Sequence, residues 1–237
     1  MMELLLELKS GETDEQIRTV VEDSVWRLTG RETFFQMEAL AAQIRARGGT
    51  PLAPLAYKQE YLRRLHAAIA ARLEGLRNGT IPPDTLLVPG SRQFLTALEQ
   101  HGVRMYLASG TDHENVVEEA GLLQIDQFFG PHGERIFGAR DDHSFSKRLL
   151  VRRILAAAEC APHELYGFGD GYVEIEEVKK AGGFAVGVAT LEPECRLIDD
   201  WKRNRLLGVG ADRLVANFLD PAPLLAIFNG NVKLPIT

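Results

Sequence analysis

The sequence predicts an α/β protein in two parts, a run of helices followed by a parallel sheet flanked by helices. Three observations predict it. Helix-start signals and apolar residues at helical spacing fill the first eighty positions. The segment Ile81-Pro82-Pro83-Asp84 then breaks the pattern, because paired prolines cannot continue a helix. Beyond it, short apolar runs alternate with amphipathic stretches, which implies βαβ units around a parallel sheet.

The elements run in order along the chain. Met1–Leu8 reads as part of a helix. Thr13 and Gln16 form a capping box ahead of Ile17, Val20, Val21, Val25 and Leu28, and Gly30 closes that helix. Thr33 and Gln36 form a second box, with Met37, Leu40, Ala41 and Ile44 on one face and Gly48-Gly49 as the stop. A longer helix carries Leu62, Leu65, Ile69, Leu73 and Leu76 and ends before Asn78-Gly79. After the prolines, strands are predicted at 103–108, 165–168, 184–188 and 213–216. Helices are predicted at 91–100, 112–120, 146–158, 173–181 and 221–228.

Composition narrows the functional classes. The chain has 237 residues, 45% hydrophobic and 25% charged, as expected of a globular protein. No long uncharged apolar run is present, so no membrane span is expected. The opening MMELLLELKSGETDEQ has neither a basic leader region nor a small-residue cleavage site, and no signal peptide is expected. Cys160 and Cys195 lie far apart and suggest neither a disulfide framework nor a zinc site, which fits a reducing cytoplasm. The formal net charge of −6 argues against nucleic acid as a partner.

In open α/β sheets ligands bind beyond the carboxyl ends of strands. Three segments fall there. In Leu107-Ala-Ser-Gly-Thr-Asp112 a strand is expected to end at Ser109, with Thr111 and Glu114 capping the next helix. Free helix N–H groups attract phosphate, Ser109 adds a hydroxyl and Gly110 permits close approach. The same residues also suit an ordinary strand-to-helix turn. In Phe145-Ser-Lys147, Ser146 is the expected N-cap and Lys147 falls in the first turn, where a cation opposes the helix dipole unless an anion is held there. Extension of Lys147 and Arg148 into water is the alternative. In Gly167-Phe-Gly-Asp-Gly-Tyr-Val-Glu174, Asp170 and Glu174 can hold a hard cation such as Mg²⁺. Otherwise Asp170 is an N-cap and Glu174 complements the dipole.

Taken in order, these segments resemble motifs II, III and IV of the haloacid dehalogenase superfamily. Ser109 matches the motif II hydroxyl residue, Lys147 the motif III lysine, and Asp170 with Glu174 the acidic pair of motif IV. Pro89-Gly90 and Ala181-Gly182-Gly183 resemble the flanking segments. The resemblance implies a Rossmann-like three-layer core from residue 81 to 237 and an all-helical cap over residues 1–80. It also implies a Mg²⁺-dependent phosphatase that acts on a small phosphorylated metabolite through an aspartyl-phosphate. By that resemblance Ser109 and the Gly110 and Thr111 amides bind phosphate, Lys147 neutralises charge, and Asp170 and Glu174 bind the metal. Arg31, Gln36, Tyr57 and Lys58 are the cap residues that could read the rest of the substrate; otherwise Gln36 serves its capping box and the others suit a solvated helix face.

The family's motif I, a strand ending in Asp-x-Asp ahead of the cap, supplies the nucleophile. The first aspartate here is Asp14, in Gly-Glu-Thr-Asp-Glu, at a helix start. The chain is therefore expected to lack the nucleophile and to be inactive alone, with the centre of its sheet unfilled. In-frame DNA upstream is expected to encode the lacking strand. A non-catalytic protein that binds a phosphorylated ligand or a protein partner is the alternative.

Overall fold

The computed structural model describes residues 1–28, 33–139 and 147–228, apart from the side chains of Trp26 and Lys147. The chain forms two compact units, Met1–Leu73 and Glu74–Thr237.

The first unit is helical: α1 (Met2–Leu6), α2 (Asp14–Leu28), α3 (Thr33–Ala46) and most of α4 (Pro54–Arg77). The capping box at the start of α2 is reciprocal. The Thr13 N–H donates to Gln16 Oε1 at 2.8 Å, and the Gln16 N–H to Thr13 Oγ1 at 3.3 Å. Residues at helical spacing then meet in one core of Leu5, Ile17, Met37, Leu40, Ala41, Ile44 and Tyr57. Arg47 grips Glu12 through Nε and Nη2 at 2.6 and 2.8 Å, which ties the approach to α2 to the end of α3.

The units divide inside α4, ahead of the prolines at 82 and 83, because the last turn of that helix is bound to residues of the second unit. The Ile81 N–H donates to the Gly75 carbonyl at 2.9 Å, and Arg77 pairs with Glu118. A Cβ at Gly75 would sit 2.5 Å from the Ile81 side chain, so glycine permits this close return.

The second unit runs α5 (Ser91–Gln100), β1 (Leu107–Asp112), α6 (His113–Leu122), β2 (Ile136–Ala139), α7 (Lys147–Ala158), β3 (Tyr166–Gly169), α8 (Tyr172–Lys180), β4 (Phe184–Val188), α9 (Asp200–Gly208), β5 (Arg213–Val215) and α10 (Ala222–Phe228). Among the described residues, all pairings between these strands are parallel. They form two ladders, β1-β2 and β3-β4-β5. Among the described residues no pairing joins β1 to β3, so each has a ladder partner on one edge only. Their exposure agrees with this. β2 and β4 are mostly buried, whereas every residue of β3 is half-buried and Ala108 in β1 is exposed.

Strand periodicity builds the layers. Along β4, Val186 and Val188 join a cluster with Phe94, Leu98, Phe218, Leu224 and Ile227 from α5, α10 and the preceding loop. Ala185 and Ala189 face the other way, into a cluster with Ile175, Val178 and Leu206 from α8 and α9. Successive side chains point to opposite faces, and helices cover both. This is a three-layer, Rossmann-like arrangement.

Two expectations need correction and two elements were not foreseen. β1 begins at Leu107 rather than 103, because the Val103 N–H is consumed in closing α5, donating to the Leu98 carbonyl at 3.0 Å. The expected Thr111–Glu114 box does not cap α6. Its N-cap is Asp112, without a side-chain capping bond, because the strand continues through Thr111. β2 is only four residues long and contains Gly138, too short to be legible. In α9 the apolar face is narrow, and its clearest signal is Asp199, whose carboxylate accepts the Lys202 N–H at 2.8 Å.

Candidate active site

Ser109, Gly110 and Thr111 are the third to fifth of the six residues of β1, at an irregularity in the ladder. Between the pairs Ala108–Phe137 and Asp112–Ala139, β1 advances four residues while β2 advances two. The surplus falls within Ser109–Thr111, so the segment bulges from the ladder. Bulges recur beside active sites because they re-aim side chains. The bulge is folded on itself: the Thr111 N–H donates to Ser109 Oγ at 3.1 Å. In this conformation the Thr111 amide is engaged locally, while the Ser109 hydroxyl keeps its own proton to donate. Helix α6 follows at once and packs on both β1 and β2. Gly138 permits that approach, since a Cβ there would lie 2.5 Å from His113 Cα.

Asp170 follows β3 directly and is exposed. Gly171 is the N-cap of α8, and Glu174 is the third residue of that helix. The Glu174 side chain turns back, and its Oε1 accepts the Gly171 N–H at 2.9 Å. The flanking glycines make room for it. A Cβ on Gly169 would sit 2.6 Å from Glu174 Cγ, and one on Gly171 would sit 2.5 Å from Glu174 Oε2. The Gly-x-Gly around Asp170 is thus the footprint of the Glu174 carboxylate. Gly167, on the same face of β3 as Gly169, lets α8 lie close on the strand, as a Cβ would meet Val178 at 2.5 Å.

The pair suits Mg²⁺ in kind. It offers two carboxylates as hard oxygen donors, Asp170 exposed and Glu174 turned back on the Gly171 N–H, and Mg²⁺ commonly takes one or two carboxylates with water and phosphate completing the shell. No group of three or more histidine, cysteine or acidic residues able to hold a metal occurs among the described residues.

Lys147 is the first residue of α7, which packs against α8. Its side chain, like Arg31, lies outside the described part of the structure. Gln36 is half-buried in α3 and Lys58 is buried in α4, beside Tyr57, whose hydroxyl accepts the Leu52 N–H at 3.0 Å. All three belong to the first unit, whereas Ser109, Gly110, Thr111, Asp170 and Glu174 belong to the second. Ser109–Thr111 stand on the β1-β2 ladder and Asp170 on the β3-β4-β5 ladder.

One feature beside Asp170 had no sequence signal. Arg205 of α9 lies over the Tyr172 ring at 4.3 Å and over the Trp201 ring at 5.1 Å. The four-residue spacing of Trp201 and Arg205 shows that they share a helix face. That the face meets Tyr172 depends on how α9 packs.

A parallel sheet in two ladders with helices on both faces, and a separate helical unit, define the α/β fold class. Solved structures agree. The chain is similar to a phosphonoacetaldehyde hydrolase-like protein from Oleispira antarctica, at 17% identity and TM-score 0.55 over 85% of this chain and 77% of that one. It is similar to a haloacid dehalogenase-like protein from Agrobacterium tumefaciens, at 16% identity and TM-score 0.57 over 95% and 91%. It is similar also to a protein named as a beta-phosphoglucomutase from Thermotoga maritima, at 18% identity and TM-score 0.52 over 97% and 93%. No protein-family model and no curated protein sequence matches the chain. The shared feature is the fold: a Rossmann-like core together with a helical unit.

Proposed function

We propose that these residues form the phosphate- and metal-positioning part of a Mg²⁺-dependent phosphatase for a small phosphorylated metabolite. The observation that carries this reading is the order Ser109, Lys147, Asp170 and Glu174 along an α/β core, with Ser109 in the β1 bulge, Lys147 opening α7, Asp170 directly after β3 and Glu174 in the first turn of α8. Ser109 and the Gly110 amide would hold phosphate oxygens at the β1 bulge, and the Thr111 amide would join them on leaving Ser109 Oγ. Lys147 would offset negative charge on phosphate and nucleophile. Asp170 would hold Mg²⁺ directly and Glu174 through water, and the bound ion supplies neutralisation of the phosphate charge. Arg31, Gln36, Tyr57 and Lys58 are the residues proposed to read the leaving group, and a cytoplasmic location fits such a substrate.

The nucleophile is the lacking part. No two aspartates in the 237 residues are separated by a single residue, so the sequence contains no Asp-x-Asp. We infer that turnover through an aspartyl-phosphate belongs to a longer form of the protein, in which a further strand lies between β1 and β3. Each of those two strands has, among the described residues, an edge without a ladder partner, and this and their half-buried residues support the inference. The same absence favours, as a second reading, a non-catalytic protein that binds a phosphorylated ligand or a protein partner.

The test is hydrolysis of p-nitrophenyl phosphate with Mg²⁺ by the pure 237-residue protein. No turnover is expected. Turnover that is lost in Lys147→Ala would overturn the assignment of the nucleophile. Phosphate-induced shifts at the Ser109–Thr111 amides, without turnover and with no activity in any longer form, would establish the second reading instead.

A further inference from the structure

We propose that Arg205 is a positioning residue for the Asp170 carboxylate and acts through Tyr172. The inference rests on the reading of Asp170 as a metal ligand. Asp170 is exposed and sits on a turn flanked by Gly169 and Gly171, residues with little intrinsic backbone preference. A turn of that composition needs outside restraint to hold one geometry. Glu174 restrains one side, by accepting the Gly171 N–H. Tyr172 follows immediately as the first residue of α8, and its ring lies under the Arg205 guanidinium at 4.3 Å.

Arg205 is itself held. Trp201, one turn earlier on α9, presents its ring at 5.1 Å, so the guanidinium lies against two aromatic faces. The next residue, Leu206, is 1% exposed and shares a cluster with Ile175 and Val178 of α8. The stack therefore joins two helices that are already packed, and it grips α8 two residues from Asp170. A flat guanidinium on a ring fixes ring position better than a flexible ammonium does. Loosening it would let the Gly169–Tyr172 turn sample more conformations and lower the fraction that presents Asp170 to a cation.

Mn²⁺ titration of the ¹⁵N-labelled 237-residue chain provides the test, read as paramagnetic broadening of the amide signals of Gly169–Tyr172. Tyr172→Leu and Arg205→Leu should each weaken Mn²⁺ binding by about three- to ten-fold, whereas Tyr172→Phe, which keeps the ring, should match the wild type. Unchanged shifts in β5 and α10 would confirm the retained fold. If Arg205→Leu does not fold, Arg205→Lys keeps the charge and stem without the flat group and should weaken binding in the same sense. Wild-type binding in both leucine variants, or equal loss in Tyr172→Phe, would overturn the proposal. Broadening that persists in Asp170→Asn would instead overturn the metal-site reading beneath it.

Discussion

Glu174 Oε1 accepts the Gly171 N–H at 2.9 Å, so the second acidic residue of the candidate metal site is also the N-terminal clasp of α8. That oxygen shapes the loop at the start of the helix. This dual role separates the two acidic residues by consequence. Replacing Glu174 should affect folding as well as binding, and replacing Asp170 should affect binding alone.

Glu174→Ala should therefore lower stability by about 1 kcal/mol, the usual worth of a helix N-terminal capping interaction. Glu174→Gln keeps an acceptor oxygen and should lose less than half of that. Asp170→Asn, at an exposed position, should stay within about 0.5 kcal/mol of the wild type. Urea midpoints of the three variants decide this. An Asp170→Asn protein less stable than Glu174→Ala would show that the roles are reversed.

Gly90→Ala should be among the most damaging single changes in the second unit. Gly90 is the N-cap of α5 at φ 84°, and a Cβ there would lie 2.3 Å from the Phe218 backbone carbonyl carbon. Phe218 cannot yield, because its N–H is bound to the Pro89 carbonyl at 2.8 Å and its ring stacks on Phe94 at 5.1 Å. Strain and overpacking together predict a loss of at least about 2 kcal/mol. Thermal or chemical unfolding of the variant checks it.

Ser109→Ala should weaken phosphate binding while costing less than about 1 kcal/mol of stability. The hydroxyl makes one local bond, to the Thr111 N–H, on a half-buried segment. Phosphate-induced shifts at the Gly110 and Thr111 amides are the measurement. Ser109→Thr restores the hydroxyl and should recover the response. A Ser109→Ala protein that responds to phosphate like the wild type would remove Ser109 from the site.

Acid should loosen the helical unit through Glu60. The Arg63 guanidinium, followed by that of Arg64, holds the Glu60 carboxyl down to about 2 from an ordinary 4.5. A carboxylate with a depressed folded pKa contributes its stability above the unfolded value and loses it as pH falls through the folded value. The window is therefore pH 4.5 down to about 2. The difference in urea midpoint between wild type and Glu60→Gln should be small, because the pair is exposed, and should narrow across that window. High salt at pH 7 should narrow it as well.

The sequence by itself determined most of the order of elements, though not β2 or α9, and which residue types stand near their ends. Capping residues such as Thr13 and Gln16, the prolines at 82 and 83, and the apolar run Phe184–Val188 act over a few residues, and local signals of that kind are legible without a fold. Asp170 and Glu174 are near neighbours for the same reason, four residues apart where β3 leads into α8. Tertiary structure decided what depends on contact between distant segments. It placed Ser109–Thr111 in a bulge, because the register of β1 is set against β2, a strand too short to announce itself. It divided the strands into two ladders, because parallel pairing joins residues separated by whole helices. It brought Arg205 onto Tyr172, because Leu206 buries α9 against the cluster that contains α8. Side-chain chemistry belongs to single residues and their near neighbours, whereas register and packing are settled only when the whole chain buries its apolar surface at once.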